Sequence, residues 1–199
     1  MGLYLLQISG TIEGHISLAA AQPGLKSTAY ERVFAELVGC AMHRDEVDCV
    51  LVLIHTVGGD ADAGLAIAEA IASVNVPTAS VVLGTAHSAG FPIAVAAQRT
   101  FIAPSAVMLT HPVAVMGETV ISPLTLADGQ RYHNRMADFI SRRTGVAAST
   151  VTDLMMATGK VAGGLGTMLS ADEAVSQRFI QAVGGITQAL GALEIGKEA

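Results

Sequence analysis

Apolar residues fall into two rhythms along this chain. At Tyr30, Val33, Phe34, Leu37, Val38 and Ala41 they recur every three or four positions, which sets them on one face of a helix. Ser27 or Thr28 is available there as N-cap, with Glu31 close to a capping-box position. From Asp48 to His55 the run is continuous, the pattern of a strand buried on both faces of a parallel sheet. Leu3 to Ile8 reads as a first strand ended by Ser9-Gly10, and the stretch from Thr11 to Gly24 as loop. After Thr56-Val57-Gly58-Gly59-Asp60 the order repeats: helix Ala63 to Ser73, strand 79–83, turn 84–88, helix 89–97, strand 100–103 and strand 106–110. Strands alternating with crossover helices predict a parallel sheet with helices packed on it, an α/β fold. Beyond Pro112 the pattern becomes helical. Leu126 to Thr144 is one long helix carrying Arg131, His133, Arg135, Asp138, Arg142 and Arg143, without a clear apolar stripe for contact with a partner. Helices follow at Thr150 to Thr158, at Ala171 to Gln181 behind a Ser170–Glu173 capping box, and at Thr187 to Leu193. No repeat, low-complexity tract or linker divides the 199 residues, which read as a single domain.

Composition adds an oligomer to this picture. Apolar residues make up 51% of the chain and charged ones 14%, with a mean hydropathy of +0.53. That exceeds what a monomer's surface needs, so the surplus is expected in subunit contacts. A membrane span is not expected, because His55, Asp60, Asp62, His87 and Pro92 interrupt the apolar runs before ~20 residues accumulate. Met1 to Tyr4 runs into a strand pattern with no signal-peptide character, and the only cysteines are Cys40 and Cys49. Both features point to a cytoplasmic protein. A net charge of −6 argues against a nucleic-acid surface. The six histidines are scattered, with no metal-ligand spacing, and no nucleotide-binding loop is present, so neither metal nor cofactor is expected.

The chemistry concentrates at three predicted strand ends: Gly58-Gly59, His87-Ser88-Ala89-Gly90 and Thr110-His111-Pro112. In a parallel sheet such carboxyl ends share one crevice. A serine at a strand-to-helix turn presents its hydroxyl beside backbone N–H groups, and an imidazole is the side chain suited to take its proton. The Gly59 and Ala89 amides are candidate donors to an oxyanion. Each residue also has a plainer reading: Ser88 as a helix N-cap, His111 as a structural histidine, Gly58-Gly59 as ordinary turn chemistry. The nucleophile elbow of α/β-hydrolases is disfavoured, since Ala86 stands where it needs glycine.

Across essentially its whole length the chain resembles the Clp protease proteolytic subunit family, serine peptidase family S14, and most closely its translocation-enhancing branch. The markers are Thr56-Val57-Gly58-Gly59-Asp60, Ala63 to Glu69, His87 to Val95, His111-Pro112-Val113, Leu165-Gly166-Thr167, Glu173-Ala174 and Gly184-Gly185. The resemblance implies a crotonase/ClpP-like fold of repeated ββα units with a C-terminal helical region, and a homo-oligomeric ring to which the 126–144 helix contributes. It further implies hydrolysis of unfolded peptides by Ser88 with His111 as base and Gly59 and Ala89 as the oxyanion hole, and an ATP-driven unfoldase as partner. One departure stands out: the family's third catalytic residue is an aspartate, and Gly164, within Val161-Ala162-Gly163-Gly164-Leu165, occupies its place. Asp153 and Asp172 are candidate substitutes. Three functions remain open at this point: a slow serine peptidase, a ring subunit that binds without cleaving, and acyl-CoA chemistry on the same fold.

Overall fold

The computed structural model describes residues 2–15, 24–113, 123–161 and 164–195. Eight strands form one sheet: β1 (Leu3–Glu13), β2 (Ser27–Ala29), β3 (Cys49–Gly59), β4 (Thr78–His87), β5 (Arg99–Ile102), β6 (Val107–Thr110), β7 (Thr167–Ser170) and β8 (Ala182–Val183). Its main path runs β2-β1-β3-β4-β5-β8, parallel throughout. The remaining edge of β4 is divided. Its first half pairs with β5, and Thr85 to His87 pair with Val107 to Leu109 of β6, which in turn pairs antiparallel with β7. The helices are α1 (Tyr30–Met42), α2 (Ala61–Ser73), α3 (Gly90–Ala94), α4 (Pro123–Thr144), α5 (Ala148–Met156), α6 (Ala171–Ser176) and α7 (Ile186–Ile195).

The continuous apolar run of β3 serves two cores. Val50, Val52 and Ile54 join the larger core with residues of α1 to α6, while Cys49 and Leu51 pack with Ala189 and Leu193 of α7 on the other face. Each such side chain, fully buried, contributes roughly 1.5–3 kcal/mol, which is why β3 contains no polar residue before His55. α7 does not reach β1, so Leu3 and Leu5 remain about two-fifths exposed.

Several local expectations need correction. β1 does not stop at Ser9-Gly10. Its partners β2 and β3 hold it extended to Glu13 through a register shift after Gly10, whose φ of 70° suits glycine. Ser27 and Thr28 therefore belong to a strand rather than a cap: Thr28 Oγ1 donates to the Ser9 carbonyl and Ser27 Oγ to the Glu13 carboxylate, and Ala29 precedes α1 without a side-chain cap. The turn placed at 84–88 is strand up to His87, because β6 takes over β4's edge there, and the helix placed at 89–97 shrinks to Gly90–Ala94. The C-terminal region is not purely helical, since β7 and β8 interrupt it. α6 keeps its Ser170–Glu173 capping box but ends at Ser176, ahead of Arg178 with its φ of 64°. α4 does carry an apolar stripe, at Met136, Ala137 and Ile140 beside His133, but it faces the chain's own core. Ion pairs Arg135–Asp62 and Arg142–Glu69 fasten α4 to α2.

Candidate active site

The turn ending β3 is shaped by close approach. Thr56 Oγ1 donates to the Gly10 carbonyl at 2.6 Å and accepts from the Gly58 amide at 3.0 Å. Gly58 has φ 87°, and a Cβ there would sit 2.6 Å from the His87 carbonyl oxygen and 2.7 Å from the Ser88 Cβ. Gly59 has φ 152°, and a Cβ would lie 2.2 Å from the Ile12 carbonyl oxygen. Only glycine fits either position, and the pair brings backbone against the residue that follows β4.

That residue, Ser88, is held in the left-handed region at φ 53°, a conformation costing a non-glycine residue about 1–3 kcal/mol unless its surroundings enforce it. They do so here: its amide donates to the Leu109 carbonyl at 2.8 Å, and its carbonyl accepts from Phe91 at 2.9 Å. Ser88 is not the helix cap. Ala89 precedes α3, no side chain caps that helix, and the Ser88 hydroxyl makes no hydrogen bond among the described residues. Ala89 is only 1% exposed, yet its amide donates to no group among the described residues. A buried N–H without a partner is rare.

His111 follows β6 directly, two residues beyond the carbonyl that holds Ser88, so the pairing of β4 with β6 brings the ends carrying Ser88 and His111 to one edge of the sheet. Its Nδ1 lies 2.8 Å from the Pro112 carbonyl oxygen. A carbonyl only accepts, so Nδ1 carries the hydrogen and Nε2 keeps its lone pair. Gly166 packs against the same turn: a Cβ there would stand 2.5 Å from the Thr110 carbonyl oxygen and 2.9 Å from the His111 Cβ. Gly164, two residues earlier, is exposed with open space where a side chain would project; its neighbours Ala162 and Gly163 lie outside the described residues. Asp153 on α5 and Asp172 in the first turn of α6 are both exposed, and neither hydrogen-bonds His111.

The sequence analysis assigns His87 no role of its own, and the structure gives it more weight. Its Nε2 is buried with no hydrogen-bond partner. Burial, then the neighbouring charges of His111 and His55, push its pKa below the ordinary imidazole value. His87 therefore stays neutral in the fold where the unfolded chain, titrating near 6.5, already takes up a proton. The unfolded state binds more protons in that window, so stability falls as pH drops from about 7 to about 5. A His87→Gln variant should show a shallower loss in denaturant melts across that range. Superimposable pH profiles would remove His87 from the account.

Comparison with known proteins agrees with this architecture. The family model for Clp protease matches residues 12–186. Translocation-enhancing protein TepA of Halalkalibacterium halodurans is 36% identical over 188 residues, covering 94% of this chain and 72% of that protein. A ClpP1 point mutant from Listeria monocytogenes shares the fold with a TM-score of 0.70 at 19% identity, over 94% of each chain. The strand ends that carry Ser88 and His111 thus sit in a chain that belongs to the Clp protease family.

Proposed function

We propose that this chain is a serine peptidase subunit that hydrolyses peptide bonds of unfolded polypeptides through Ser88 and His111. The observation that supports this most is the Ser88 amide on the Leu109 carbonyl, which ties the serine to the strand leading into His111. In this reading His111 Nε2 takes the Ser88 hydroxyl proton as Oγ bonds to the substrate carbonyl carbon. The charge that develops on the carbonyl oxygen is received by the Gly59 and Ala89 amides, and the loss of one such donor costs about 10²–10³ in rate. Collapse breaks the C–N bond, the imidazolium proton passes to the leaving amine, and water releases the acyl group by the reverse sequence. The Pro112 carbonyl holds the productive tautomer, but it carries only partial charge and stabilises the imidazolium less than a carboxylate does, so turnover is slow.

Among the described residues no carboxylate hydrogen-bonds His111, which favours a second reading, a catalytically impaired ring subunit that captures extended segments. The TepA relative is named for enhancing translocation, which fits either role. In both readings residues 1–199 act as one domain in a cytoplasmic homo-oligomeric ring. The outward face of α4 supplies subunit contacts, and an ATP-driven unfoldase delivers substrate.

A fluorophosphonate probe separates the two readings. The peptidase reading expects labelling that disappears in Ser88→Ala and falls by about three orders of magnitude or more in His111→Ala. Absence of labelling at every pH would establish the scaffold.

A further inference from the structure

At the opposite edge of the sheet lies a second polar site. A cavity of about 160 Å³ opens between the start of β5, the end of α4 and the segment after α6, lined mainly by Gln98, Thr100, Arg143, Thr144, Arg178 and Gln181. Ser80, the β4 residue paired with Thr100, is eight residues before Ser88, and with the bulge between Val82 and Ala86 taken off that is about 20 Å along the strand at ~3.3 Å per residue. This cavity is therefore separate from the crevice described above.

Its charge is one-sided. Two arginines line it and no carboxylate does, and neither guanidinium is in an ion pair among the described residues, as is also true of Arg44 and Arg99, whereas Arg32, Arg131, Arg135 and Arg142 are paired. Arg143 donates to the Ala97 carbonyl at 3.2 Å, which directs its side chain along the cavity wall. The polar floor is rigid: the Thr100 amide donates to Gln181 Oε1 at 3.2 Å, the Gln181 amide to Thr100 Oγ1 at 3.0 Å, and Gln181 Nε2 to the Gln98 carbonyl at 3.1 Å.

The backbone supplies an independent observation. Arg178 has φ 64°, in the left-handed region, and with Ser88 it is one of two non-glycine residues so held among those described. Glycine would take that turn without strain, so the position retains a guanidinium at a conformational cost, and strained residues gather at ligand clamps. The strain and the uncompensated charge meet in one side chain.

We infer that this cavity binds a compact oxyanion, received by the forked donors of Arg143 and Arg178 with the side-chain amide of Gln98 beside them. Guanidinium groups suit phosphate and carboxylate alike through paired N–H donors, so inorganic phosphate and acetate are the probes. Bound anion neutralises two like charges held close together and stabilises the fold.

The test is thermal unfolding of the whole chain in phosphate, acetate or chloride at matched ionic strength, with Arg178→Gly, Arg178→Asn and Arg143→Gln alongside. Phosphate also stabilises proteins by exclusion from their surface, and that effect persists in every variant. Site binding near tenfold saturation adds about 3–5 °C to the wild-type midpoint beyond that background, and all three variants lose the increment. In chloride, Arg178→Gly melts higher than wild type because the strain is relieved, which also shows that the variant folds. An increment from phosphate alone assigns a phosphate site, and one from acetate alone a carboxylate site. Increments equal to chloride for both anions, or retained in the variants, overturn the inference.

Discussion

Gly164→Asp is expected to raise peptide hydrolysis by about two to four orders of magnitude, the span a triad loses when the residue orienting its histidine is disabled. In this fold the His111 Nδ1 hydrogen rests on the Pro112 carbonyl, which sets the tautomer but offers no full negative charge to the imidazolium. Gly166 packs on the His111 Cβ, and position 164 is two residues before it. A carboxylate at position 164 has open space around it and no backbone strain to overcome, so the fold should lose little, within about 0.5 kcal/mol as for other surface changes. The gain corresponds to about 3–5 kcal/mol of transition-state stabilisation. Gly164→Asn, similar in shape but uncharged, should recover only a small part. Steady-state cleavage of an unfolded peptide, with active sites counted by fluorophosphonate labelling, provides the measurement. Equal rates in all three proteins, with labelling intact, would show that a carboxylate is not what limits turnover.

The second large effect is structural. Gly58→Ala places a methyl group 2.6 Å from the His87 carbonyl oxygen and 2.7 Å from the Ser88 Cβ, at a φ of 87°. Neither neighbour yields easily: the Ser88 backbone is fixed by Leu109 and Phe91, and β4 is paired on both edges. Overpacking combined with left-handed strain should destabilise the chain by about 2–5 kcal/mol. Because the displaced atoms belong to the Ser88 turn, labelling should fail even in the protein that remains folded. Gly39→Ala is the control, since a Cβ there meets nothing within 4 Å, and replacing glycine within a helix stabilises by up to about 1 kcal/mol. Denaturant melts of the two variants decide it. A Gly58→Ala protein as stable and as reactive as the parent would mean that the turn is not held against the serine.

The buried strands were readable because their periodicity reflects burial on two faces. Asp48 to His55 carries no signal other than apolarity, and the two cores on either side of β3 account for it. The strand-end residues were legible for a similar reason: parallel strands bring their carboxyl ends together wherever the loops go. The failures came where tertiary pairing overrides local punctuation. Ser9-Gly10 and Gly84 look like stops, yet β2, β3 and β6 hold those segments extended. Arg178 gives no local signal of a left-handed turn, because arginine is not a turn residue. The state of His87 was not legible, because its buried, unpartnered Nε2 and its lowered pKa depend on burial and on His55 and His111, which are distant in sequence.

The divided edge of β4 has a consequence for how this molecule loses function. His111 follows β6, which pairs with β4 over only Thr85 to His87 and otherwise with the four residues of β7. Ser88, by contrast, follows a strand paired along its length within the main sheet. Local opening of the β6–β7 pair would part the His111 segment from the Ser88 turn at far less cost than melting the whole sheet, and would withdraw only Met108 and Leu169 of these two strands from the larger core. Under the proposed function, loss of activity and denaturation are then expected as two separate events.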